Sequence, residues 1–368
     1  MPEHPAYRIA LLPGDGIGPE VTEATRVVMD EVNAQLNIAM TYHHYDVGAE
    51  VYRSTGESIS EHTMHAIGEA DAVLLGAAGL PDVRTSEGTE ATPQIDIRER
   101  YGLFASLRPA ILFAGVPTKI KAEQVNMLVI RETTEGLFAG RHDAAEASDT
   151  EASDRLTITR ATSERLFKVA FEQARQRRAT QHTPGRVTLL DKSNVLRSNA
   201  FMRKVFDDIA AQYPDIESER LYIDAGSIML VTQPERFDVV VTENVFGDIA
   251  SEIAAGVVGG LGVAPSGDIS ETHGVFQPCH GSAPDIAGTD SANPVATILS
   301  AAMLYDWLAD KSGDQRCRDA ATAVRTAVAT VLHDGPTTKD LGGTASTTTV
   351  VEAIVGALRQ LEYGPALV

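Results

Sequence analysis

Six short apolar runs, separated by stretches of helical spacing, limit how this chain can fold more than any other feature. They are Arg8–Leu12, Ala72–Gly76, Asn126–Ile130, Arg186–Leu190, Leu221–Asp224 and Phe237–Thr242. Strands that are apolar at successive positions need cover on both faces, and intervening helices supply it. Helical spacing follows the first run at Val21, Ala24, Val27, Val28 and Val32, and recurs near His62 to Ala70, Ser163 to Arg177 and Ala200 to Gln212. This alternation predicts an α/β protein with a largely parallel sheet. With 368 residues and 43% apolar composition, the chain can bury two cores.

The first strand leads into Pro13-Gly14-Asp15-Gly16-Ile17-Gly18-Pro19-Glu20, with Pro19 suited to a helix's first turn. Its glycines are spaced G-x-G-x-G, which is not the dinucleotide fingerprint G-x-G-x-x-G. Residues 141–155 are polar and acidic and read as a flexible loop or a projecting arm, with Leu156-Thr157-Ile158-Thr159 as its return strand. Residues 255–267, AGVVGGLGVAPSG, read as a buried crossover between domains.

A formal charge of −20 argues against nucleic-acid or anionic-membrane partners but leaves an anionic small molecule open, since a few clustered arginines reverse a potential locally. No apolar run is long enough for a membrane helix, and the N-terminus has no basic-then-apolar signal. Cys279 and Cys317 read as two reduced thiols, which suits the cytoplasm.

Three segments carry chemistry. In Val241–Glu252, VTENVFGDIASE, Asp248 and Glu252 lie four residues apart just after a β-rich run. A helix puts such a pair on one face, and two hard-oxygen ligands there suit Mg²⁺ or Mn²⁺. With Asp191-Lys192-Ser193-Asn194-Val195 and the segment HGSAPDIAG at 280–288, they point to a metal-dependent enzyme with a nucleotide cofactor.

These segments, together with GDGIGPE (14–20), LFASLRP (103–109) and IRETTEGLFAG (130–140), resemble the β-decarboxylating dehydrogenases that act on 3-isopropylmalate, isocitrate, homoisocitrate, and tartrate or D-malate. The resemblance runs from Leu12 to about Asp306. It implies a two-domain fold with residues 1–103 and 259–368 in one domain and 104–258 in the other. It also implies a homodimer with shared active sites, clasped by an arm near 141–159. Arg98, Arg108 and Arg131 match the arginines that clamp the malate part of the substrate, a task suited to guanidinium forks. Lys192 matches the catalytic lysine that reaches across from the partner subunit; neighbouring positive charge favours a neutral amine able to take a hydroxyl proton. Asp224, also from the partner, matches a metal ligand beside Asp248 and Glu252. His280, Gly281, Ser282, Ala283, Asp285 and Ile286 match the cofactor loop, and Asn293 an adenine contact. Asp285-Ile286 is the pattern of the NAD-dependent members, and a carboxylate there accepts from a ribose diol while repelling a 2′-phosphate.

The chain departs from the pattern at three places. Phe138 stands where the family has a tyrosine thought to protonate the enol, Glu252 replaces a third metal aspartate, and Gln277 replaces a glutamate near the cofactor. Ahead of Arg98, Gln94 and Ile95 occupy the positions that select the substrate's substituent. Ile95 and Val195 favour an apolar group, and Asp96 would repel a third carboxylate if it faced the pocket, which disfavours isocitrate. The expected reaction is NAD- and metal-dependent oxidation, with decarboxylation, of a 3-substituted malate, foremost 3-isopropylmalate. Alternatives are a tartrate- or D-malate-like or specialised substituted malate, without decarboxylation, or a regulatory subunit with weak catalysis.

Overall fold

The computed structural model describes residues 6–86, 88–141 and 150–361. The chain runs β1 (Ala6–Gly14), α1 (Gly18–Leu36), β2 (Ala39–His44), α2 (Ala49–Thr55), α3 (Glu61–Glu69), β3 (Ala72–Ala77), α4 (Pro93–Tyr101), β4 (Ala105–Ile111) and β5 (Asn126–Glu132). It continues as α5 (Arg160–Gln181), β6 (Arg186–Asp191), α6 (Arg197–Ala210), β7 (Glu217–Tyr222), α7 (Ile223–Thr232), β8 (Val239–Thr242) and α8 (Asn244–Val257). It closes with β9 (Pro265–Ile269), β10 (Gly274–Pro278), α9 (Val295–Ser312), α10 (Gln315–Asp334) and α11 (Thr347–Leu358).

All the strands join one sheet in the order β2-β1-β3-β10-β9-β4-β5-β8-β6-β7. The outer pairings are parallel, whereas β10–β9, β9–β4 and β4–β5 are antiparallel. The α/β expectation therefore holds, with a mixed centre that the apolar runs did not signal. β9 returns from the far half of the chain and lies directly against β4, joining the strands on either side of it.

Local chemistry explains the element ends. Thr159 accepts from the Thr162 amide at the start of α5, and Ser60 does the same for Thr63 in α3. Glu243 accepts from both Val245 and Phe246 amides at the start of α8. Gly313 ends α9 in the left-handed conformation, φ 72°. The largest core gathers β1 and β3 with α1, α9, α10 and α11, and includes the fully buried Tyr305 and Phe276. Two further cores lie on opposite sides of β5, β6 and β8: one around Phe167, Phe171 and Phe206, the other around Leu230, Phe237 and Ala254.

Two expectations need correction. The strand read at Leu221–Asp224 ends at Tyr222, and Asp224 lies in the first turn of α7, because Ile223 onward packs as a helix. Leu156–Thr159 forms no strand; only Thr157 bridges, to Gly136, while Thr159 is drawn to Glu135 and to capping α5. Most of the polar segment at 141–155 lies outside the described residues. Residues 255–267 run from the end of α8 into β9, with Val257, Val258, Val263 and Ala264 all inside.

Candidate active site

Three buried arginines form the centre. Arg98 lies on α4, Arg108 on β4 and Arg131 on β5. In the β4–β5 ladder Ser106 faces Arg131, so Arg108, two residues on, projects from the same side of the sheet. α8 packs across that side. Its Asn244 Oδ1 accepts from Arg131 Nε at 3.0 Å and Nη2 at 2.7 Å. Ser251 Oγ accepts from Arg108 Nη1 at 2.8 Å, and Asp248 Oδ1 accepts from both guanidinium groups. Gly247 permits this approach, since a Cβ there would lie 2.7 Å from the Arg131 side chain.

Such crowding of positive charge is costly. Burial, with Arg98 and Arg108 close by, pulls Arg131 down to about 9. Arg108, by contrast, is raised despite its burial, by Asp248, Asp268 and Glu252, so Arg131 is the member that an incoming carboxylate would stabilise most.

Asp248 and Glu252 occupy one face of α8, as their spacing predicts. Burial raises the Glu252 carboxyl; Arg108 opposes that shift and Asp248 adds to it. The Asp248 charge makes ionisation of Glu252 more costly, a cost that a divalent cation between the two would relieve, and their oxygen chemistry fits Mg²⁺ or Mn²⁺. Among the described residues no three His, Cys, Asp or Glu side chains of the chain converge on a metal position.

Asp224 is instead beside Lys192, with Nζ and Oδ1 2.9 Å apart, and this hydrogen bond holds its carboxyl below the usual range. The loop after β6 is set by buried Asp191, which accepts from Arg203 and the Ser193 amide, and by Asn199, which accepts from the Lys192 amide. Asp224 and Val195 face outward, the latter 68% exposed.

On α4, Asp96 does not face the arginines. It accepts from Arg141 at 2.7 Å and from Ser58 at 3.1 Å, so its charge is answered away from them. Gln94 and Ile95 lie on the same helix, half-buried, and Gln94 Oε1 is buried without a hydrogen-bond partner. The Phe138 ring lies 5.5 Å from the Arg131 guanidinium carbon. The hydroxyls that might replace a missing phenol are committed elsewhere: Tyr101 donates to Met64 O, and Thr133 to Leu103 O.

The segment at 280–288 docks on the glycine loop, where the Ile17 amide donates to Ser282 O at 2.7 Å. Gly16, at φ 59°, allows this because a Cβ would lie 2.0 Å from Ser282 O. The loop leaves Asp285 exposed beside half-buried Ala283 and Ile286, and a Cβ at Gly281 or Gly288 would meet open space, room for a nucleotide. Burial lowers His280, whose Nδ1 lies 2.9 Å from Gly281 O. Asn293 is already engaged: its Oδ1 accepts from the Val295 amide and its Nδ2 donates to Asp340.

Asn244, Ser251 and Asp268 hold the arginines, and the first two have no individual signature in the sequence. Asp268 alone left a trace: a carboxylate inside the buried strand Pro265–Ile269 needs a cationic partner.

A match to the isocitrate/isopropylmalate dehydrogenase family spans residues 8–354. A protein of Methanocaldococcus jannaschii named 3-isopropylmalate/3-methylmalate dehydrogenase is 39% identical, over 96% of this chain and 99% of its own. The 3-isopropylmalate dehydrogenase of Salmonella typhimurium is 37% identical, over 93% and 95%. Among solved structures, the isocitrate dehydrogenase of Methylococcus capsulatus superimposes with a TM-score of 0.85 at 34% identity, over 96% of this chain and 100% of that one. The apo β-decarboxylating dehydrogenase of Thermococcus kodakarensis gives 0.78 at 34%, over 96% of both.

Proposed function

This chain belongs to the isocitrate/isopropylmalate dehydrogenase family and is a β-decarboxylating dehydrogenase, and from that premise we propose that it oxidises 3-isopropylmalate with NAD. The observation that carries the reading is the trio of buried arginines, Arg108 and Arg131 on Asp248 and Arg98 on Asp268, which suits a clamp for a dicarboxylate.

Arg98, Arg108 and Arg131 hold the malate carboxylates and fix C2 toward the cofactor loop. A Mg²⁺ or Mn²⁺ ion would be held by Asp248 and Glu252 with Asp224 of a partner copy, and would supply Lewis-acid chemistry that eases loss of the hydroxyl proton and the build-up of negative charge as CO₂ leaves. Lys192, also from the partner copy, takes the hydroxyl proton. NAD would lie against His280–Ile286 and Asn293 and would supply the acceptor for the hydride of C2, with the exposed Asp285 as the hydrogen-bond acceptor for its ribose. Asn293 reaches adenine in this reading only by relaxing its bond to Asp340.

Two further points support a shared site. Lys192 and Asp224 pair with each other on an outward face. α7 and α8 expose Ile228 (66%), Val231 and Ile249, an apolar surface that a second copy would cover. Division into 1–103 with 259–368 and 104–258, meeting at β9 and β4, places the arginines along the junction. Two unbonded thiols fit a reducing cytoplasm, and no described helix is long and apolar enough to span a membrane.

A second reading, a malate with a polar substituent such as tartrate, is favoured by the unpartnered Gln94 Oε1, which would accept from a substrate hydroxyl. The test is NADH formation from 3-isopropylmalate with Mn²⁺. It should vanish with EDTA and in Lys192→Ala, and be far slower with NADP. Turnover of tartrate in its place would favour the second reading, and equal use of NADP would contradict the role of Asp285.

A further inference from the structure

We propose that Asp268 is a positioning residue for the substrate clamp, supplying from β9 the carboxylate that position 277 lacks, with Gln277 as its hydrogen-bond donor. The inference rests on the dicarboxylate reading of the arginine cluster.

Asp268 is fully enclosed, 1% exposed, at the antiparallel centre of the sheet. Its Oδ2 accepts from Arg98 Nε at 2.9 Å and from Gln277 Nε2 at 3.0 Å. Because Arg98 spends only Nε on this contact, both terminal nitrogens of its fork stay available for a substrate carboxylate. An arginine held at Nε by a buried carboxylate has little freedom to swing, so the fork is ordered before substrate arrives.

Placement explains the pairing. Asp268 faces Ser106 across the β9–β4 ladder and Val275 across β9–β10, and Gln277 is two residues beyond Val275 on β10. The two side chains therefore stand diagonally on one face of the sheet, within reach. A glutamate at 277 would set a second carboxylate against Asp268 in a dry interior, where like charges repel strongly. A glutamine there donates instead. The glutamine at 277 and the carboxylate at 268 thus form a matched pair, with a single negative charge carried on β9. The wider cluster keeps the same balance, since Arg98 and Arg108 both act on Asp268 and burial alone opposes its ionisation.

The experiment compares Asp268→Asn, Gln277→Glu and the double variant with the unaltered protein. It measures kcat, KM for 3-isopropylmalate and for NAD, melting temperature, and calorimetric binding of D-malate. Asp268→Asn should raise KM for the hydroxy acid and weaken D-malate about tenfold or more, with KM for NAD within about twofold. Gln277→Glu should impair hydroxy-acid binding similarly. The double variant, with one carboxylate restored to the pair, should return to within about threefold of the original affinity. The proposal is overturned if Asp268→Asn leaves hydroxy-acid binding unchanged, weakens NAD equally, or is not improved by adding Gln277→Glu. Should the unaltered protein fail to turn over 3-isopropylmalate, the substrate assignment falls, while D-malate binding still decides the role of Asp268.

Discussion

At position 138 the chain carries a ring without a hydroxyl, packed against Arg131. Clamping, deprotonation by Lys192 and hydride transfer need no phenol, but protonation of the enol at C3 needs a donor. Such general acid catalysis contributes ~10²–10⁴-fold. With Tyr101 and Thr133 already donating to backbone carbonyls, the proposed reaction is expected to draw this proton from water. NADH and CO₂ should therefore appear together while the keto acid lags, and Phe138→Tyr should abolish the lag with little change in NADH formation. A lag unchanged in Phe138→Tyr would rule this out. Glu252→Gln keeps the side chain's size but removes a charge from the metal position, so half-maximal activity should need about tenfold more Mn²⁺, read by titrating the metal. The clustering of Arg108 and Arg131 on Asp248 was foreshadowed by the family resemblance and not by the residues singly, since a lone arginine beside an apolar strand reads as a surface residue. Asn244 and Ser251 were not legible, because an ordinary polar residue acquires meaning only from strand register and from which helix crosses the sheet.

The helices that carry the site depend on contacts of differing reach. α4 bears Gln94, Ile95 and Arg98, and is tied to the segment after Phe138 by Arg141, which donates to Asp96 and to both oxygens of Glu99. The tie is half-exposed, so Arg141→Ala should cost only about 1 kcal/mol of stability. It should nonetheless raise KM for the hydroxy acid several-fold with kcat nearly unchanged, because α4 presents Arg98. Steady-state kinetics beside a melting curve would separate the two effects. Parallel strands with uninterrupted apolar runs were readable. The antiparallel β4, β9 and β10 were not, since they alternate charged or small residues with apolar ones, as in Ala105–Ile111 and Pro265–Ile269. The misplaced start of α7 has the same root: a short apolar run before Asp224 fits a strand or a helix equally well until packing decides.

At the scale of the whole molecule, Lys192 and Asp224 spend their charges on each other, and the proposed reaction draws both from a second copy. Ile228→Asp, in the exposed apolar patch, should shift sedimentation toward monomer and reduce activity in proportion, while secondary structure by circular dichroism stays unchanged. A fully active monomer would refute the shared site. The charge on Arg131, disfavoured by burial and by its arginine neighbours, also predicts that D-malate raises the melting temperature, with the gain shrinking as salt rises. The most direct test of the account as a whole follows NADH and CO₂ separately across a panel of 3-substituted malates and tartrates with NAD and Mn²⁺. The account predicts equimolar NADH and CO₂, with 3-isopropylmalate the best substrate. NADH without CO₂, or no NADH from any of them despite NAD binding, would contradict it.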